Sequence, residues 1–211
     1  MARKVATVLT WRENKMPSIC LNTAISITGL SRRTLWRRIG EGGVATLGTH
    51  GPGEETRLSL DDVLPLSSLP LKQEDRSLIL AADDGDAESQ CCLALVFFTA
   101  HQPAEAVRWL TRAAKQLYPD AMCYLGRCYL SGEGIERDDD AGILWLSQAA
   151  AKGYPLAQQL MRFLLSPKGQ QLLAAHELKA LDAALDDVER QVLMKALVDT
   201  GQPRGDGEGA V

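Results

Sequence analysis

Aromatic residues are scarce in this chain of 211 residues: they make up 5%, as four Trp, four Tyr and three Phe. Long apolar runs are missing altogether, and none nears the ~18 residues that a membrane-spanning helix requires. The opening stretch, MARKVATVLTWRENKMP, has neither the apolar core nor the small-residue cleavage site of a secretory signal. The expected compartment is therefore the cytoplasm, with no membrane partner. Also missing are the glycine-rich phosphate loops, the HExxH pair and the nucleophile elbow. No catalytic residue and no cofactor is expected, and the chain is not read as an enzyme. Asp138, Asp139 and Asp140 are consecutive, so they cannot share one helical face. They suit the first turn of a helix, where the dipole favours negative charge, better than a calcium loop, whose ligands are spaced.

Cysteine is present but poorly arranged for a disulfide framework. The five thiols, at 20, 91, 92, 123 and 128, are odd in number, and two are adjacent. Cys123 and Cys128 are too far apart for a CxxC pair, and the three histidines are scattered, so no metal ligand set is expected. These cysteines read as small apolar residues of a core.

The net charge of −4 conceals an uneven distribution. Residues 1–60 carry nine basic and four acidic side chains, a balance of +5, and the remainder carries −9. A basic front and an acidic back point to two units with different partners.

In the front, LNTAISITGLS places Leu21, Ala24 and Ile25 on one helical stripe, and Gly29 breaks it. Ser31 is suited to cap a second helix, SRRTLWRRIGEGG, which Gly40, Gly42 and Gly43 end. Leu35 and Ile39, four apart, point inward; Arg32, Arg33, Trp36 and Arg37 point mostly outward. Two β-prone runs, Val44–Leu47 and Thr56–Leu60, flank the loop GTHGPGEE as a hairpin. A short helix then starts at Asp61–Asp62 and closes at Pro65.

Helix, turn, arginine-rich helix, hairpin and short helix, from about Met16 to Leu69, resemble the excisionase and MerR-type winged helix-turn-helix. That resemblance implies a double-stranded DNA partner, with the second helix in the major groove. Its contact set would be Ser31, Arg32, Arg33, Thr34, Trp36, Arg37 and Arg38, with Arg57 from the wing. Arg reads guanine or clamps phosphate through two parallel bonds, and Ser31 and Thr34 near the helix start suit phosphate. The wing departs from the family in carrying Glu54 and Glu55 against Arg57 alone. Trp36 is read as core or partial core, with contact to a sugar or thymine methyl as the alternative. The competing reading of the whole helix is a docking surface for an acidic protein, including the acidic back half of this chain.

PLSSLPLKQEDRS, with two prolines and three serines, reads as a linker. Beyond it the sequence repeats. Trp109 and Trp145 are 36 apart, as are Ala113–Ala114 and Ala149–Ala150. LYPDA at 117–121 returns as GYPLA at 153–157, and GDAESQCCLA at 85–94 aligns with LYPDAMCYLG at 117–126. Each unit reads as a helix pair: Leu93 and Phe97, or Leu125 and Tyr129, on the first helix. The second carries Ala106, Trp109, Leu110 and Ala113, or Ala141, Leu144, Trp145 and Ala149. Small residues, Ala94, Gly126, Ala113 and Ala149, permit close approach. One such pair cannot bury its own apolar face, so neighbours must stack.

The run AMCYLGRCYLSGEGIERDDDAGILWLSQAAAKGYPLA is similar to Sel1-like repeats, relatives of the tetratricopeptide array. The resemblance covers about Leu80 to Leu165. In the first copy Ala94 replaces a Gly, Leu117 replaces another, and the GxG loop is lost. The third copy keeps only its first helix. The family implies a scaffold that binds an unidentified protein or peptide, and Tyr124, Arg127, Trp145 and Gln148 are the candidate contact residues. From Ser166 to Gly201, Leu178, Leu181, Leu185, Val188 and Val192 form an amphipathic stripe. It is read as a cap on the solenoid, with a homodimer interface as an alternative that can coexist.

The expected protein is thus mainly α. A winged module (1–66) and a linker (67–79) precede Sel1-like repeats (80–165), capping helices (166–200) and a disordered tail (201–211). The expected function is a bacterial DNA-binding regulator or adaptor; the alternative is a pure interaction scaffold.

Overall fold

A computed structural model describes residues 16–47 and 55–201. The loop tip of the expected hairpin, with Glu54, and the expected tail beyond Gly201 lie outside the described residues. The chain divides into two compact units, Met1–Trp109 and Leu110–Val211.

The first unit opens with β1 (Ser18–Cys20), which runs into α1 (Leu21–Thr28) and α2 (Arg32–Gly40). Local chemistry sets each boundary. The Cys20 sulfur accepts the Thr23 N–H at 3.4 Å. Gly29 closes α1 at φ 66°, its N–H returning to the Ile25 carbonyl at 2.9 Å, a left-handed cap that glycine takes without a Cβ clash. Ser31 Oγ accepts the Thr34 N–H at 3.1 Å and starts α2. β2 (Arg57–Ser59) pairs antiparallel with β1, Ile19 opposite Leu58, and its other edge bridges Thr46. Ser59 then caps α3 (Leu60–Val63), and Pro65 follows in a 3-10 turn. Ile19, Ala24, Ile27, Leu35, Leu58, Leu60 and Val63 are fully enclosed and form the hub.

The segment 67–79 is not a loose linker. Ser68 N–H and the hydroxyls of Ser67 and Ser68 all donate to the Ile27 carbonyl, at 3.0, 3.0 and 3.2 Å. A carbonyl in the last turn of a helix has no intrahelical donor, and these serines supply one. Leu69 is buried beside them, and α4 (Arg76–Asp83) begins inside the expected linker. α5 (Ala87–Thr99) packs on α4, and α6 (Pro103–Lys115) follows.

The second unit contains α7 (Pro119–Ser131), α8 (Asp139–Ala151), α9 (Pro155–Leu164), α10 (Pro167–Ala174) and α11 (Leu178–Gly201). Proline at the first position of α7, α9 and α10 costs no hydrogen bond and presets φ. Asp138 caps α8 by accepting the Ala141 N–H at 2.9 Å, and Asp139 and Asp140 occupy its first turn. α7 and α8 touch backbone to backbone. A Cβ on Gly126 would stand 2.8 Å from Leu146 Cγ and 2.9 Å from the Gly142 carbonyl oxygen. One on Gly142 would stand 2.8 Å from Leu130 Cγ. Register within α8 differs from expectation at two positions: Ala141 is half-buried where Gly142, the counterpart of Ala106, is buried, and Leu144 is 55% exposed where Leu146, the counterpart of Leu110, fills the core.

Two substitutions test this packing. Gly126→Ala gains helix propensity of about 1 kcal/mol, but its methyl meets a carbonyl that cannot move without shifting α8. A net loss of about 2 kcal/mol is expected, read as a thermal midpoint lower by about 5 °C. Leu117 sits at φ 62°, where the next copy has Gly153 at φ 87°. That backbone costs a branched residue about 1 kcal/mol, and the side chain is exposed. Leu117→Gly is therefore expected to leave the midpoint unchanged or raise it, against the usual penalty for adding glycine.

Candidate functional site

Two surfaces concern function. On α2, Leu35 is the buried residue and anchors the helix to the hub. Arg32, Arg33 and Arg37 are exposed, and Trp36 is 43% exposed, so it is not enclosed in the hub. The reason is angular: Trp36 lies 100° round the helix from Leu35, and the hub is already closed by Leu35. Among the described residues Arg32, Arg33 and Arg37 have no ion pair; Arg32 donates to Asn22 Oδ1 at 3.0 Å. Arg38 is half-buried with an enclosed Nε. The hydroxyls of Ser31 and Thr34 lie 2.9 Å apart at the helix start.

Arg57 departs from its expected wing role. Its guanidinium donates to Ser18 Oγ at 3.0 Å, to the Ser18 carbonyl at 2.6 Å and to Asp83 at 3.0 Å. The Asp83 side chain is fully buried, and both its oxygens accept the Cys20 N–H at 3.1 Å. A buried carboxylate needs such partners, so Arg57 secures α4 to the strands.

The second surface is the repeat pair. Tyr124, Trp145 and Gln148 are half-buried on α7 and α8. Arg127 is not available as a contact residue. Its side chain is 16% exposed and pairs with Glu189 and, at 2.8 Å, with Asp186 of α11. Burial disfavours its charge, but the hydrogen bond to Asp186 and the charges of Glu189, Asp186 and Asp182 outweigh this and hold it protonated. Burial also pushes the Asp182 carboxyl above its ordinary value, against the pull of Arg127, and one of its oxygens is enclosed without a donor. Sequence periodicity placed Leu181 and Leu185 on the α11 stripe, and both are buried. Periodicity carried no signal for the carboxylates that reach across to Arg127.

Burial raises the Cys128 thiol to about 12, aided by Glu133, so it is inert at neutral pH. No disulfide joins the five cysteines, and Cys92 alone of them is exposed. Among the described residues no His, Cys, Asp or Glu cluster fits a metal ion, and no helix is long and apolar enough to cross a membrane.

The helix pair with Gly126 at its crossing, the Gly132 cap and the Asp138 start is decided by comparison with known families. Residues 99–116 and 119–154 match the Sel1 repeat. This part of the chain carries Sel1 repeats. The first Sel1 match begins at Thr99, at the end of α5, so the helix with Ala94 in place of glycine lies outside it. Chitin synthase regulatory factor 3 of Schizosaccharomyces pombe is 38% identical over 66 residues, which are 30% of this chain and 7% of that protein. The chain thus spans a small fraction of the relative's length. A solved Sel1 repeat protein from Oxalobacter formigenes is 22% identical. It covers 67% of this chain and 92% of its own, with a TM-score of 0.39.

The Asp182 carboxyl has a pH signature. Its folded-state value lies above the unfolded 3.8. The stability it contributes is therefore present in full below 3.8 and is lost as the pH rises through the folded value. Asp182→Asn is expected to raise the thermal midpoint at pH 7, since Asp186 and Glu189 still neutralise Arg127. The gain should shrink as melts are repeated toward pH 4.

Proposed function

We propose that the chain is a DNA-binding adaptor. Residues 16–69 act as a winged helix-turn-helix on duplex DNA, and the Sel1 repeats bind a protein that sets the activity or location of the complex. One observation carries the first half: Arg32, Arg33 and Arg37 stand open to solvent beside an exposed Trp36, on a helix fixed by a buried Leu35 and capped by Ser31. No described carboxylate neutralises them. Guanidinium groups so presented suit phosphate and the guanine edge. An exposed indole suits a sugar or a thymine methyl.

Arg57 is left out of the contact set, because withdrawing it would strand the buried Asp83 carboxylate. Of the expected wing acids, Glu55 is described and exposed. Contact through the helix rather than the wing is therefore the reading supported.

Fluorescence anisotropy with a labelled duplex tests it. Affinity is expected to fall with salt at a log–log slope of about −0.9 per neutralised phosphate. Arg33→Glu with Arg37→Glu should reduce affinity at least tenfold and flatten the slope by about two. Unchanged affinity in that variant overturns the DNA reading and leaves the basic helix to an acidic protein partner.

A further inference from the structure

α11 faces α9 across an open groove of about 640 Å³. Helical periodicity builds both walls. Pro155, Gln159 and Arg162 recur at i, i+4 and i+7 along α9, and Val188, Val192 and Lys195 repeat that spacing along α11. Phe163, Val188 and Val192 are half-buried and supply an apolar lining. Arg162 and Lys195 are exposed, one on each wall. Among the described residues these two cations are the charged side chains that line the groove, and neither has an ion pair. Arg162 donates to Gln159 Oε1 at 3.1 Å. That bond occupies one of the guanidinium's donors and leaves the others open.

We propose that this groove binds a small amphipathic anion, a molecule with an apolar body up to about 12 Å long and a carboxylate or sulfonate head. Two arguments select that occupant. The first is charge. An anionic head gains charge-assisted hydrogen bonds from Arg162 or Lys195, while Phe163, Val188 and Val192 take its apolar body out of water. A neutral or cationic ligand forgoes the first of these gains.

The second argument is size. Pro155 to Phe163 on one wall and Val188 to Ala196 on the other each run about 12 Å. The volume lies within the about 300–1,000 Å³ of small-molecule sites. Two walls of that length, each one helix wide, offer a few hundred Å² at most, against about 800 Å² from each partner in a standard protein interface. A small molecule fills such a groove; a protein domain would find too little to hold. Val192 and Lys195 lie past Glu189, the last residue of α11 paired with Arg127. A bound anion would therefore bridge the distal half of α11 to α9.

Fluorescence titration of the full chain, without DNA, tests this independently of the DNA reading. The probe is 8-anilinonaphthalene-1-sulfonate, and its uncharged analogue N-phenyl-1-naphthylamine reports the apolar contribution alone. Saturable binding of the sulfonate is expected with a Kd on the order of 10 µM, and weaker binding of the analogue. Arg162→Glu with Lys195→Glu should weaken the sulfonate at least tenfold with unchanged far-UV circular dichroism, because both side chains are exposed. Leu193→Glu with Met194→Glu alters the exposed apolar stripe on the other face of α11 and should leave the affinity unchanged. Absence of saturable binding overturns the proposal. So does an analogue bound as tightly as the sulfonate, an affinity that the groove variant leaves unchanged, or loss of binding in the stripe variant.

Discussion

The first unit is organised by the indole of Trp109. It is the largest fully buried side chain, and its Nε1–H donates to Ser26 Oγ at 2.8 Å; the Ser26 hydroxyl then donates to Glu105 Oε2 at 2.9 Å. The chain of bonds joins α1 to α6 across 83 residues of sequence. Because the Ser26 hydroxyl both accepts and donates, each bond polarises the next, and losing one leaves a buried polar atom unmet. Gln102 adds a bond to Ser68 at 3.2 Å. The arginine-bearing helix therefore rests on a hub that is itself fastened to the first repeat pair. It is not a bead on a string. The basic surface is thereby held in a fixed orientation relative to α5.

The repeats show how one pattern tolerates different solutions. Trp109 and Trp145 occupy equivalent positions, yet the first is enclosed and bonded and the second is half-buried. Ala106 stands where Gly142 stands one repeat later. At Gly142 even a methyl would collide with Leu130, so that crossing is closer than an alanine allows. Glycine costs helix propensity, and close backbone approach with dense contact is what offsets it. The substitution of Leu117 for the following glycine is the reverse case: the turn keeps its left-handed backbone although the side chain disfavours it. Such a conformation persists because the helices on either side dictate it.

Much of this was legible in the residues. Gly29, Ser31 and Leu35 act locally, through a cap, a bond and a spacing of 3.6, so their roles follow from a few neighbours. The 36-residue recurrence of Trp and the Ala pair exposed the repeats for the same reason: periodicity is a property of the string. What was not legible depended on distant partners. Ser67 and Ser68 look like linker residues until Ile27 is seen to need donors. Arg57 looks like a wing cation until Asp83, 26 residues on, is found buried against it. Trp36 was left between partial core and an outward contact, and the structure leaves it 43% exposed while Leu35 fills the hub from that helix.

Arg127 brings these threads to the question of what the repeat face can bind. A cation in the LGxxY stretch of a repeat reads as a contact for a peptide. Here three carboxylates of α11, Asp182, Asp186 and Glu189, converge on it. Removing a single carboxylate leaves the arginine neutralised; removing the arginine leaves several acids together in a partly buried site, which is far costlier. The cluster therefore tethers α11 more strongly than its apolar stripe alone, and it does so only as far as Glu189. Past that residue no ion pair among the described residues ties the helix to another element, and it is there that its apolar side chains turn outward. The capping and exposed halves of α11 are two consequences of where one arginine's reach ends.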